Sequence, residues 1–307
     1  MSFASSSTPA RYLFVGLLLA ACGGETASKP PTSANSSATG SYTSTSGSGG
    51  AGASGTTTMS SSTTGAGAGG SAPVDCSDLP LCDDFEDATL GGPPGGGLWL
   101  VVTPNCSGRG AVVVDDAQAH SGSLSVRVDG ASGYCNHIFF ANQDTIGSLG
   151  QRVYGRMHVY FDAPFGGGHT TFLAMKDDSD GGKDLRMGGQ NEVYMWNRES
   201  DDATLPVMSP AGSATSVKPS VNAWQCIEFM IDGPTGELKT WVDGVLVDGL
   251  VVDGESTPDI DSGWHSKPDW MPHVSDIKIG WEAYGGNGIT MWVDDIALDS
   301  NPIGCAP

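Results

Sequence analysis

The chain has 307 residues and a formal net charge of −21. Arg11, Glu25, Lys29 and Asp75 cancel one another, so the whole negative charge falls on Cys76 to Pro307. A surface of that sign repels phosphate backbones and anionic lipid, which excludes nucleic acid and direct membrane-surface binding, and it is acidic enough to suggest a bound cation.

The first element is Arg11 followed by the apolar run Tyr12 to Ala21. It is too short for the roughly 20 residues of a membrane-spanning helix and suits the apolar region of a signal peptide. It ends in Leu19-Ala20-Ala21-Cys22, a lipobox pattern. Residues 1–21 are therefore expected to be a lipoprotein signal peptide, and Cys22 the lipidated mature N-terminus. The following residue is Gly23 rather than Asp, which points to the outer membrane or cell surface. Residues 22–75 are almost entirely Ser, Thr, Gly and Ala after the cysteine. They lack the apolar content to offset their ordering entropy, and are expected to be a disordered tether of roughly 40 Å root-mean-square span. Any membrane contact would then run through the lipid alone.

Residues 76–307 are long enough for one well-buried core. Six cysteines remain there, an even number suited to disulfides in an exported chain, and no Cys/His spacing suggests zinc. About 15 connectivities are open to them; the expected one joins Cys76 to Cys82, Cys106 to Cys135, and Cys226 to Cys305.

Period-two alternation then recurs down the chain. Leu124, Val126 and Val128 alternate with Ser125, Arg127 and Asp129. The same pattern runs over 153–161, 226–231 and 277–282. Over 238–247 the chain reads LKTWVDGVLV, with Asp243-Gly244 as a two-residue hairpin signal. No segment keeps a helical period over three turns. The expected fold is all-β, a two-sheet jelly-roll sandwich of the concanavalin-like kind, and a monomer.

Three constellations could carry chemistry. DDFE at 83–86 opens the domain and Asp294-Asp295 lies near its end. Neighbouring first and last strands would bring these carboxylates together, where a hard cation with oxygen ligands relieves their repulsion; the alternative is a solvated acidic rim. Lys176, Lys183, Arg186 and Arg198 crowd into 23 residues broken by Gly-rich turns, beside His169, Gln190, Asn197, Glu199 and Asp202. A sheet face lined this way could hold an anionic or hydroxyl-rich ligand. Trp196, Trp241, Trp264, Trp270, Trp281, Tyr284 and Trp292 supply core aromatics and, where exposed, a sugar-stacking platform. His120, His137 and His158 are expected to be structural.

Taken together, DDFE at 83–86, AHSGSLS at 119–125, GYCNHIFF at 133–140, LRMGGQ at 185–190, WNRESDDATLP at 196–206, GWEAYGG at 280–286 and VDDIAL at 293–298 resemble the fungal cellulose-induced secreted family. The resemblance runs in order over nearly the whole domain. It implies a polysaccharide lyase-like jelly roll related to glucuronan and alginate lyases. It also implies one structural calcium near Glu86, the Ser121 to Leu124 turn, and Asp294 or Asp295. The cleft it implies holds His169, Lys183, Arg186 and Gln190. Two positions depart from the pattern: Asp184 replaces a histidine, and Trp196 replaces a tyrosine whose hydroxyl could act as acid or base.

These residues outline a lyase on uronic-acid polysaccharide, of plant cell wall or another uronate polymer. β-Elimination needs a neutraliser for the uronate carboxylate, a base for the C5 proton and an acid for the leaving oxygen. Arg186 and Gln190 suit the first role and His169 or Tyr284 the second, assisted by Lys183. Trp196, Asn197, Arg198, Glu199, Asp202 and Glu282 are candidates for contacting the sugar. The competing expectation is a non-catalytic carbohydrate-binding lipoprotein. A retaining glycosidase lacks its second carboxylate, because position 204 is Thr.

Overall fold

A computed structural model describes residues 76–104, 108–134, 136–285 and 287–305. The signal segment, Cys22, the tether, Cys106 and Cys135 lie outside the described residues. Within them run fifteen strands: β1 (Leu81–Asp83), β2 (Leu100–Val102), β3 (Ala111–Asp115), β4 (Ser125–Asp129), β5 (Ile138–Asn142), β6 (Arg152–Phe161), β7 (His169–Asp177), β8 (Lys183–Gln190), β9 (Val193–Arg198), β10 (Ala203–Leu205), β11 (Trp224–Asp232), β12 (Glu237–Val242), β13 (Val245–Val252), β14 (Ile277–Tyr284) and β15 (Thr290–Asp299). The one α-helix among the described residues, Pro210–Ser213, is a single turn.

The strands build two antiparallel sheets. The first runs β13-β12-β11-β6-β15-β4-β3, with β1 also paired to β15; the second runs β10-β9-β8-β7-β14-β5-β2. Alternating side chains from both sheets, such as Val128, Val159 and Phe229 against Met187, Trp196 and Trp281, meet in one core. The alternation read at 153–161 holds for most of β6: Val153, Met157, Val159 and Phe161 are fully buried while Tyr154, Arg156 and Tyr160 are only half-buried, but His158, on the polar side, is buried too. Asp243 and Gly244 both take positive φ (51° and 75°), as a type I′ hairpin requires. Disulfides link Cys76 to Cys82 and Cys226 to Cys305.

Two irregularities position the chemistry. The first is where the domain closes: Leu81 pairs with Leu298 and Asp83 with Ile296, so the first and last strands lie side by side. Here β15 carries a bulge between Asp294 and Ala297, with Asp295 at φ 48°. The second lies in β7, whose register against both neighbours shifts between Thr171 and Leu173. Phe172 and Leu173 both enter the core, so the alternation slips by one residue beyond them. His169 and Thr171 are thereby turned to the outer face, opposite Tyr284 and Glu282.

Candidate functional site

The outer face of the second sheet is a recess. Arg186, Asn197, Lys278 and Glu282 point away from the sandwich core, yet each is at least nine-tenths buried. Two glycines keep the floor open. A Cβ on Gly188 would lie 1.8 Å from the Thr170 carbonyl oxygen, and one on Gly280 would lie 2.1 Å from that of Ile138.

Arg186 stands at the centre. Its guanidinium lies 3.2 Å from Glu199 and 3.8 Å from Glu282, and 5.8 Å from the Tyr284 ring centroid. Burial opposes its charge, but Glu282 and Glu199 more than restore it. Glu199 is also approached by Lys183, 3.3 Å away, and its other oxygen accepts the Asp184 backbone N–H at 2.8 Å. Burial raises the Glu199 carboxyl, but the Asp184 amide and Arg186 outweigh it and hold it below the ordinary range. Asn197, directly opposite Arg186, donates from Nδ2 to Asp202 at 2.9 Å. Gln190 shares the outward side of β8 with Arg186 at the far end of that strand.

His169 and Tyr284 face each other at the other end of the recess. Burial, then the nearby Arg186 charge, pushes the His169 imidazole down to about 4, so it is neutral at ordinary pH. Burial, then a hydrogen bond to Glu282, raises the Tyr284 hydroxyl and keeps it protonated. The pair thus offers a proton acceptor beside a proton donor. Six buried polar atoms on this face lack a partner: His137 Nε2, His169 Nε2, Thr171 Oγ1, Arg186 Nε, Asn197 Oδ1 and Glu282 Oε1. Each such atom costs about 1–3 kcal/mol when left unpaired, and a hydroxyl-rich ligand could relieve that cost.

Two expectations need correction. Trp196 and Arg198 lie on the opposite face of β9, paired with Met187 and Leu185, and cannot touch a ligand in the recess. The Trp196 indole is fully buried and donates to Thr240 Oγ1 at 2.8 Å. A tyrosine at that position would face the same core, so the missing hydroxyl removes no acid or base from the recess. Arg198 grips Asp201 through two nitrogens, at 2.5 and 2.9 Å, under the rings of Trp264 and Trp270.

Four residues of this site were not expected there from sequence, and one of them, His137, was expected to be structural. Lys278 is held between Asp276, at 2.6 Å, and Asp184, at 3.2 Å. His137 Nδ1 is 3.4 Å from Glu282. Tyr134 is 72% exposed and leans on Tyr284 with ring centroids 5.4 Å apart. The alternation of Lys278, Gly280, Glu282 and Tyr284 along β14 was the available signal for Lys278 and, through it, Asp276. His137 and Tyr134 come from a distant segment, marked only by the GYCNHIFF stretch of the resemblance.

A second cluster forms where β1 meets β15. Glu86 accepts the amides of Ser123 and Leu124, each at 2.7 Å, and these bonds hold its carboxyl below the usual range. Asp294 accepts the His120 amide at 2.8 Å, and Ser121 Oγ donates to Asp295 at 2.7 Å. Burial, then the Asp295 charge, pushes Asp294 up to about 7. His120 Nδ1 lies 2.5 Å from Asp295, and its ring stacks on His158, 3.5 Å between centroids. Leu124 takes part through its amide, not its side chain. Glu86, Asp294, Asp295 and Ser121 offer oxygens that suit a hard cation such as calcium, while the ligand atoms lying within 4.8 Å of one another are those of His120, His158 and Asp295, two of them imidazole nitrogens. Gly122 is needed there: at φ 59°, a Cβ would lie 2.3 Å from the Glu86 carboxyl carbon.

Residues 84–301 match the polysaccharide lyase-like family described as Cip1-like, core domain. The solved structure of the cellulose induced protein, Cip1, is 39% identical over 74% of this chain and 100% of that one, with a TM-score of 0.67. An endo-β-1,4-glucuronan lyase from the fungus Trichoderma reesei is a distant likeness: 15% identical, covering 69% of this chain and 94% of its own, TM-score 0.42. So is domain 4 of AbnA, a GH43 extracellular arabinanase from Geobacillus stearothermophilus solved with arabinotriose: 13% identical, 72% and 94% covered, TM-score 0.42. No curated protein matches the chain.

Proposed function

The chain belongs to the polysaccharide lyase-like family with a Cip1-like core domain, and on that premise we propose that it binds uronic-acid-containing polysaccharide on the outer face of its second sheet and cleaves it by β-elimination. The observation that carries this is the opposition of His169 and Tyr284, one neutral and one protonated, beside a buried Arg186. Arg186, with Gln190, takes the uronate carboxylate and acidifies the C5–H. His169 accepts the C5 proton; the C–H electron pair becomes the C4–C5 double bond. The C4–O bond breaks, and the departing oxygen takes the Tyr284 proton. Lys183, Asn197, Glu199, Asp202 and Glu282 orient the sugar hydroxyls.

The test is to incubate the purified chain with glucuronan and with alginate, with and without calcium and across pH. Unsaturated chain ends absorb in the ultraviolet, and their absence under every condition, on these homopolymers and on uronate polymers spaced by neutral sugars alike, sinks the lyase. A second function, binding without turnover, is favoured by one observation: Arg186 is already held by Glu199 and Glu282. Retention on the polymer without new chain ends would identify it.

Two further assignments complete the proposal. Calcium sits among Glu86, Asp294, Asp295 and the Ser121 to Leu124 turn, joining the first strand region to the last and supplying stability rather than chemistry. Cys22 carries a lipid that keeps the exported domain at the outer membrane or cell surface.

A further inference from the structure

The proposed lyase places one uronate carboxylate at Arg186, and the charges around Arg186 limit how many more the recess accepts. Four fixed cations face it, Lys176, Lys183, Arg186 and Lys278, and Asp178 sits 2.6 Å from the first. Five more carboxylates share the same surroundings: Asp184, Glu199, Asp202, Asp276 and Glu282. Each cation is already taken. Lys183 and Arg186 converge on Glu199, at 3.3 and 3.2 Å, and Lys278 is clasped by Asp276 and Asp184, at 2.6 and 3.2 Å.

The two directions away from Arg186 differ. Toward the start of β8 the surface holds Asp178, Asp184, Asp276 and Glu199 against Lys176, Lys183 and Lys278, so a second uronate placed there meets four carboxylates and three cations already paired with them. Toward the other end lie Tyr284, His169, His137 and Gln190, with Tyr134 standing out at 72% exposure. None of these is a Lys or Arg; Arg109, bonded to Asn136 Oδ1 at 3.0 Å, lines a hollow with Asp129 and Asp162. A large aromatic left in water beside a recess is suited to stack on the apolar face of a sugar ring.

Resting on the lyase proposal, we infer that the substrate is a heteropolysaccharide whose acidic sugars are separated by neutral ones, with the acidic ring at Arg186 and a neutral ring stacked on Tyr134. A homopolymer of uronates puts a carboxylate on every ring and meets like charge on one side and no counter-charge on the other. A spaced polymer meets neither obstacle.

The full chain is tested by calorimetry and by ultraviolet absorbance on two sets of polymers. Glucuronan and alginate carry a carboxylate on each sugar; hyaluronan and deacylated gellan separate their glucuronates with neutral sugars. At low salt the spaced polymers are expected to bind about tenfold more tightly, and added salt is expected to strengthen homopolymer binding by screening repulsion. Tyr134→Ala is expected to weaken spaced-polymer binding about tenfold, with Tyr134→Phe near the parent because the ring matters and the hydroxyl does not. Homopolymers that bind or react better at low salt, or a Tyr134→Ala chain with unchanged affinity, overturn the inference and leave the lyase standing. A chain that neither binds nor cleaves any of the four overturns the lyase proposal itself.

Discussion

Tyr284 and His169 are direct partners in the β14–β7 ladder, with ring centroids 5.7 Å apart and 36° between planes. The outer end of the recess therefore presents a donor and an acceptor on rigid strands rather than on loops. Replacing Tyr284 by Phe, or His169 by Ala, should lower kcat about 10²–10⁴-fold while KM moves far less. Steady-state kinetics on whichever polymer is cleaved checks this; a change confined to KM would make both residues binders only.

The pH profile should carry the mark of His169. It accepts a proton only when neutral, and burial sets that change at about 4. Activity should rise through pH 4 and level off well before 6.5, the ordinary histidine value. An acid limb near 6.5 in kcat/KM would assign the base elsewhere.

Stability should also respond to acid. His158 and His169 each titrate at about 4 in the fold, both mainly through burial, against about 6.5 unfolded. Between those values the unfolded chain binds more protons, so this contribution is complete above pH 6.5 and lost as pH falls toward 4. Urea midpoints measured at pH 7 and pH 4.5 should drop accordingly, and His158→Gln should flatten part of the slope.

Asp294 should act with the opposite dependence in the absence of metal, and calcium should offset it. In the metal-free fold Asp294 titrates at about 7, against an ordinary carboxyl of 3.8. The folded chain thus holds the extra proton between those values, and the metal-free protein loses that advantage as pH rises toward 7. A cation displaces the proton, so its stabilisation should grow across the same window. At a hundredfold excess over Kd the gain is about 2.7 kcal/mol. Thermal melts with calcium and with chelator, on the parent and on Glu86→Gln, measure it; identical melts at pH 8 would remove the metal from the proposal.

Trp196 offers a control on which face does what. Trp196→Ala should cost about 3–5 kcal/mol as a core cavity. Trp196→Phe should fold and lose the bond to Thr240, yet bind polysaccharide like the parent. Weaker binding by the folded Phe variant would return Trp196 to the recess.

Much of this was legible in the sequence where one side of a strand is apolar and the other polar. The runs over 153–161 and 277–282, the Asp243-Gly244 hairpin and the meeting of the terminal strands follow from alternation and turn chemistry. Legibility stops where both sides are covered. All six residues of β9 are buried, so Val193 to Arg198 gives no contrast by which to tell core from recess, and Trp196 and Arg198 fell on the wrong side. His169 was marked for its Gly-rich neighbours, but nothing in its sequence announces the register shift that turns it outward.

That register shift makes the site depend on backbone register as well as on residue type. Straighten β7 there at constant length and alternation runs unbroken from Leu173: Phe172 turns outward, Thr171 inward, Thr170 outward and His169 inward. The sandwich keeps its hydrogen-bonding ladders, and the proton acceptor disappears into the interior. Losing the shift alone would thus take the imidazole out of the recess while leaving His169, Arg186, Glu282 and Tyr284 unchanged in the sequence. Comparing two such chains by residue identity alone would miss the difference.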